Sequence, residues 1–350
     1  MRELLLGVLS ADPRIKVVGT ACDAAEALRA MTRCTPDLVT VDINLPGMNG
    51  FDLTRRIIEI RAVPVVIVTA SWRPEEVATT FKAVEAGAVA IVVKPHGPGH
   101  RTHERDVRKL VETVKAMSEV KMVRRWPRAR AASGCCAVAT TVPETPATQL
   151  PQAARPQIVA IGASTGGPMA LQTILGRLRP DFPAPILIVQ HIAAGFLQGL
   201  VDWLGSTTGF RVSVAGAGEP ALPGHAYLAP DGFHMGVTSD GRVVLSLEEP
   251  DAGLRPSVAH LFSSVSMHYG ACSAGVLLTG MGKDGAAALK LMRQRRALTI
   301  AQDLESSLVF GMPGEAVKLE AAQYVLALDR IATMLESAVG QPIAATGGTS

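Results

Sequence analysis

Three polar residues stand where runs of buried-type residues end. Ser164 closes "IVAIGAS", His191 closes "PILIVQH", and Asp284 follows "AGVLLTGMGK". A serine hydroxyl is a poor nucleophile until a base takes its proton and donors stabilise the oxyanion that forms. Histidine supplies such a base and a carboxylate fixes its tautomer, so the three residue types together suit acyl transfer, with Ser164 as nucleophile, His191 as general base and Asp284 as orienting carboxylate. Their order along the chain differs from the Ser…Asp…His of α/β-hydrolases, but a triad is defined by geometry and role. The backbone N–H groups of Thr165 and Met281 are candidate oxyanion donors. The turn "GASTGG" keeps a rival open, because a helix N-terminus also attracts phosphate. Two common phosphate motifs do not fit. Pro168 stands where a P-loop needs Lys, and Ser164 takes the third place, where a dinucleotide fingerprint needs glycine. The glycines are expected to let a substrate carbonyl approach the backbone beside Ser164.

A second trio lies earlier. Asp42 follows "DLVTV", Thr69 follows "VVIV" and Lys94 follows "AIVV". Carboxylate, hydroxyl and ammonium on one edge suit a phosphoaspartate, with Asp42 as acceptor and Thr69 and Lys94 on the phosphoryl oxygens. The loop "DINLPGMNGFD" shapes the chain after Asp42. Other candidates are weaker. Arg255, His234 and His225 are candidates for a substrate groove; the two histidines flank the β-rich patch, and packing or surface roles are equally open to them. His96, His100 and His103 share a Gly/Pro-rich loop without nearby Cys or carboxylate support, which reads as a loop and not a metal site. The side chains of Met281 and Met312 read as packing groups.

These residues need elements to position them. "IKVVGTA", "DLVTVDI", "PVVIVTA" and "VAIVVKP" read as short buried strands, alternating with amphipathic helices over 23–34, 51–60, 75–86 and 104–119. That alternation predicts a parallel sheet with helices on both faces, where functional residues collect at the carboxyl ends of strands. The second half repeats the style with "IVAIGAS", "PILIVQH", "RVSVAGA", "AGVLLTG" and "LTIAQD", plus a smaller β-rich patch, "HAYLAP…HMGVTS…VVLSLE". Residues 118–156 lose all periodicity and read as a linker whose Arg124, Arg125, Arg128 and Arg130 are solvated. Residues 341–350 read as a tail. The predicted units are therefore 1–117 and 157–340.

Composition narrows the function. The chain has 350 residues, enough for about two domains. Its net charge of +3 and aromatic content of 4% argue against nucleic-acid binding. The 5 cysteines are odd in number, with no zinc spacing, and fit reduced thiols in a cytoplasmic protein. No apolar run is long enough to span a bilayer, and membrane insertion is not expected.

With Asp42, Thr69, Lys94-Pro95 and the loop after Asp42 in register, the first half resembles the receiver domain of bacterial two-component response regulators, which implies a flavodoxin-like fold and a histidine kinase as phosphodonor. Such domains open with a strand ending in an acidic pair that holds Mg²⁺. Here "MRELLLGVLSADP" resembles the helix after that strand, so Mg²⁺ at Asp42 is doubtful. Two explanations stand: a natural start upstream, favoured by the retained trio, or a receiver that cannot be phosphorylated. The second half resembles the catalytic domain of the bacterial chemotaxis methylesterase, through "IGASTGGP", "VQHIAAGF", "LPGHAYLAPDGFHM", "RPSV", "LLTGMGKDGAAAL" and "AQDLESSLVFGMP". The resemblance implies hydrolysis of glutamyl methyl esters, and deamidation of glutamines, on methyl-accepting chemotaxis receptors. It implies a doubly wound fold, a triad of Ser164, His191 and Asp284, no catalytic cofactor or metal, and an unphosphorylated receiver that covers the active site. Ala259 departs from the acidic or amide residue frequent in that family. Two alternatives remain open: an esterase of the same fold in a non-motility pathway, and a receiver-linked binding protein without hydrolase activity.

Overall fold

Helix starts in the N-terminal half are written locally. The computed structural model describes residues 2–69, 86–120, 155–251 and 253–340. Helix α1 (Arg2–Ser10) leads to α2 (Ala24–Arg33), where Asp23 accepts from Glu26 N at 2.7 Å and Glu26 accepts from Cys22 N at 2.6 Å. This reciprocal pairing satisfies donors that a helix start leaves open. Strand β1 (Val39–Val41) follows, then α3 (Gly50–Ile60), capped by Asn49 accepting from Phe51 N and Asp52 N. Strands β2 (Val65–Thr69) and β3 (Ala90–Val93) and helix α4 (His103–Ser118) complete this half.

The strands form a parallel sheet in the order β1-β2-β3. Strand β2 is buried along its whole length: Val65 and Ile67 face α2 and α3, while Val66 and Val68 face α1 and α4. Period-2 alternation thus serves two cores at once. The Lys115 ammonium, 2.8 Å from Asp12, ties α4 to the turn after α1.

One predicted strand does not form. "IKVVGTA" is irregular, with Ile15 and Val17 packed against the α1–α4 core. A strand needs a ladder partner, and among the described residues none lies beside this segment. The predicted helix over 75–86 falls almost wholly outside the described residues, as do 121–154 of the predicted linker and the predicted tail.

The C-terminal half begins with β4 (Ile158–Ala163), α5 (Gly167–Leu175), β5 (Ile186–Gln190), α6 (Leu197–Thr208), β6 (Arg211–Val214) and β7 (His225–Leu228). It continues with β8 (His234–Val237), β9 (Val243–Ser246), α7 (Val258–Tyr269), β10 (Ser273–Leu277) and α8 (Ala286–Gln294). It ends with β11 (Leu298–Gln302), α9 (Met312–Lys318), β12 (Tyr324–Leu326) and α10 (Leu328–Val339). Seven parallel strands run in the order β12-β11-β10-β4-β5-β7-β6. Helices α5, α6 and α10 cover one face; α7, α8 and α9 cover the other. The predicted doubly wound parallel fold is what forms. The β-rich patch divides, however: "HAYL" joins the main sheet as β7, and only β8 and β9 make a separate antiparallel pair.

The two halves touch. Ile91 and Val93 of β3 pack against the core that holds α5 and α6, while Leu308 and Val309 pack against the α1–α4 core.

Candidate active site

Strand order reverses between β4 and β10, and in open α/β sheets the crevice at such a switch point is where ligands bind. Ser164 stands there, directly after β4. The ladder continues past the strand ends: Ser164 N donates to Thr279 O at 3.0 Å and His191 N to Ala163 O at 2.9 Å. These bonds place Ser164 beside the loop after β10 and hold His191 one strand away.

Side chains not singled out in the sequence reinforce the edge. The Gln190 amide donates to Ser164 O at 2.7 Å and to His191 O at 2.9 Å, joining the two strand ends. The Thr279 hydroxyl donates to Thr165 O at 2.9 Å, and Gln302 accepts from Thr279 N at 2.7 Å. Their signal was present: Gln190 and Gln302 are buried amides that end mostly apolar strands, where an amide needs a partner.

Asp284 is held at the N-terminus of α7. Its Oδ2 accepts from Val258 N at 2.7 Å and its Oδ1 from Ala259 N and the Ser257 hydroxyl, both at 3.0 Å. His191 Nε2 lies 3.0 Å from Asp284 Oδ2, within ion-pair range, although its N–H is not aligned on the oxygen. Burial pushes the Asp284 carboxyl up, but the His191 ring and the N–H groups of Val258 and Ala259 outweigh it and hold the group below the usual carboxylate range. The positive end of α7 acts in the same direction. Among the described residues Ser164 Oγ makes no hydrogen bond, and the N–H groups of Thr165 and Met281 donate to nothing. All three residues, with His191, line one cavity of about 1630 Å³.

Two glycines near the nucleophile are needed for packing. Gly166, at φ 80°, caps α5, and a Cβ on it would meet Leu308 Cβ at 2.7 Å. A Cβ on Gly280 would meet Ser164 Cβ at 2.6 Å. Both let protein elements approach one another closely beside Ser164.

The remaining candidates separate. Arg255 lines the cavity and donates to Leu247 O and Glu248 O, each at 3.0 Å. His234 does not line it: the ring is 1% exposed, stacked on His260 with centroids 4.6 Å apart. All four residues of β8 are buried, so alternation gives His234 no open face. His225 stacks on Tyr227 and pairs with Ser213, away from the cavity. Met281 is 48% exposed and is not a packing group, whereas Met312 is fully buried.

At the other edge, Lys94 reaches the Asp42 carboxylate and Thr69 is buried beside them, its carbonyl accepting from Lys94 N at 2.8 Å. The Asp42 and Lys94 side chains of the predicted trio meet, and Thr69 stands beside them through its backbone. Mg²⁺ takes several oxygen ligands, and the donor set here does not fit it: one carboxylate, already against an ammonium, with no metal-competent group of three among the described residues. The loop histidines find other partners, His96 pairing with Asp106 at 2.8 Å and stacking on His100. His96, Thr102, Asp106 and Lys109 form the cavity wall opposite Ser164 and His191, so the N-terminal half stands over the site.

Fold and site together define a two-domain α/β protein of the receiver-linked hydrolase class. Residues 159–335 match the CheB methylesterase model and residues 1–103 match the response regulator receiver domain. A protein-glutamate methylesterase/protein-glutamine glutaminase of Geobacter metallireducens is 53% identical over 338 residues, 96% of this chain and 95% of that protein. Another, from Syntrophus aciditrophicus, is 49% identical over 97% of this chain and 95% of that protein. The crystal structure of the Thermotoga maritima CheB methylesterase catalytic domain is 38% identical, with a TM-score of 0.50, over 51% of this chain and 97% of that one. This chain belongs to the CheB methylesterase family.

Proposed function

We propose that the chain is a phosphorylation-regulated protein-glutamate methylesterase and glutaminase acting on chemoreceptors. One observation carries the site assignment. Ser164, His191 and two unpartnered backbone N–H groups come from different strand ends and border one cavity, with Asp284 behind His191.

In this reading Ser164 Oγ attacks the side-chain ester carbonyl and passes its proton to His191. Nε2 faces Asp284, so the accepting nitrogen is Nδ1. The carbonyl oxygen gains the negative charge and is met by the N–H groups of Thr165 and Met281, where removal of one such donor typically costs about 10²–10³ in turnover. Collapse breaks the C–O bond, and His191 returns the proton to the leaving methanol. Water then attacks the acyl-serine with His191 again as base, freeing the glutamate carboxylate and restoring Ser164. A glutamine follows the same path with ammonia as the leaving group. Arg255, on the cavity wall, is suited to acidic side chains next to the reacting group.

The receiver supplies regulation. With its β3 and α4 over the cavity it limits substrate entry, and a phosphodonor acting on Asp42 would move the Lys94 pairing from the carboxylate to the phosphoryl oxygens and loosen that contact. Methanol release from methyl-labelled receptor membranes tests the chemistry. Release by the wild-type chain and none by Ser164→Ala is the expected result; equal release by both overturns the assignment.

A further inference from the structure

The Asp284 carboxylate has three hydrogen-bond donors, Val258 N, Ala259 N and the Ser257 hydroxyl, and the His191 ring lies 3.0 Å from it. The two N–H donors are fixed by the backbone of α7. Ser257 is different. Its residue is fully buried, and its Oγ lies 3.0 Å from Asp284 Oδ1 and 3.1 Å from Asp251 Oδ2. A hydroxyl has one proton to donate. Two carboxylates therefore compete for a single donor, and the one that receives it has its negative charge partly offset.

Asp251 is itself held in place. Its N–H donates to Leu254 O at 3.0 Å and its carbonyl accepts from Leu254 N at 2.9 Å, closing a tight loop just before α7. The acceptors on either side of Ser257 are thus anchored to different elements, the β10–α8 loop and the loop before α7. We propose that Ser257 is a positioning residue for the esterase reaction: its hydroxyl, shared between Asp284 and Asp251, holds the Asp284 carboxylate in plane and sets how strongly it attracts the His191 ring. The proposal rests on the assignment of His191 and Asp284 made above.

The charged groups around this cluster are Asp284 after β10, Glu248, Asp251 and Arg255 before α7, His191 after β5, and His260 on α7. His260 stacks on His234 of β8 and interacts with both Glu248 and Asp251. Substitutions at Ser257 and Asp251 should move His191 in opposite directions. Without the Ser257 proton, Asp284 offers more charge to the imidazolium and His191 stays protonated to higher pH. Asp251→Asn removes a negative charge, and its amide donates to Ser257 Oγ, committing the hydroxyl proton to Asp284. His191 then loses its proton at lower pH.

The test is the ring titration of His191 in the full chain, followed by NMR and assigned by comparison with His191→Gln. It does not depend on turnover, so failure of the esterase assignment and failure of this inference are read separately. Ser257→Ala is expected to raise the His191 midpoint by about 0.5–1 unit, and Asp251→Asn to lower it by about half a unit. Ser257→Thr, which keeps both the hydroxyl and the α7 cap, stays at the wild-type midpoint. In the Ser257→Ala background the Asp251→Asn shift shrinks to less than about half, because the relay is gone. Where the wild type hydrolyses methyl ester, Ser257→Ala loses about ten-fold in kcat with little change in KM, and Ser257→Thr recovers it. Same-direction or additive shifts of the two substitutions, or no shift in Ser257→Ala, overturn the proposal.

Discussion

Replacing Gly280 by alanine tests whether the loop after β10 is packed as tightly against the nucleophile as the structure has it. The new Cβ would lie 2.5 Å from Met312 Sδ, 2.6 Å from Ser164 Cβ and 3.2 Å from Ser164 N. Carbon atoms rest at about 3.5–4.0 Å, so one side must retreat by about 1 Å. Neither side is loose. Ser164 N is bonded to Thr279 O and Gly280 N to Val309 O, each at 3.0 Å, while Gly280 O accepts from Gly311 N and Met312 N. The retreat separates Ser164 from the Met281 N–H, and a misplacement of 1 Å can cost about 10²-fold in rate. Overpacking also costs about 1–3 kcal/mol, which for a domain of this size lowers Tm by about 2–12 °C. The assay is methanol release under saturating substrate, paired with calorimetry of the same full-length chain. Gly205→Ala is the control: Gly205 lies in α6 with nothing within 4 Å of the new Cβ, and the change should stabilise by about 1 kcal/mol. If Gly280→Ala keeps both wild-type kcat and wild-type Tm, the reasoning fails.

Three further outcomes are expected. The Asp284 carboxyl is held below its ordinary value, so its contribution to stability is present above about pH 4 and is lost as pH falls through the folded-state value; urea midpoints between pH 7 and 3 should drop more for wild type than for Asp284→Asn, and parallel curves refute this. Val93→Ala removes part of the receiver's contact with the catalytic core, worth about 1 kcal/mol, and should raise unstimulated methanol release about five-fold; no rise argues that the contact does not restrain the enzyme. Asp42→Asn removes the proposed phosphoryl acceptor, and acetyl phosphate should then fail to stimulate release; stimulation equal to wild type places the acceptor elsewhere.

Where the sequence could be read and where it could not follows from how far apart the determining contacts lie. Strands such as β2 and β5 were legible because buried on both faces they need an unbroken apolar run, and such runs are visible locally. Ser164, His191 and Asp284 were legible because each follows such a run. "IKVVGTA" carries the same composition, yet a strand is completed by its neighbour, and composition says nothing about whether the neighbour is there. "HAYL" was assigned to a small patch because its sequence neighbours form one, whereas its ladder partners, β5 and β6, lie earlier in the chain. His234 reads as a groove candidate from its place beside the β-rich patch, although burial of all of β8 gives it no open side. A serine before a helix reads as a cap, which Ser257 is. Its second task appears only when Asp251 and Asp284 are brought to either side of it.

The seating of β3 on the catalytic core makes the two halves parts of one equilibrium. Ile91 and Val93 cannot leave that core without changing what surrounds Ser164. Linkage then requires reciprocity: whatever factor a phosphoryl group on Asp42 adds to substrate affinity, bound substrate must add to the stability of the phosphorylated state. Under the proposed function, substrate in the cavity is accordingly an effector as well as a reactant. Its binding favours the form in which the receiver has left its seat, and its removal favours the seated form.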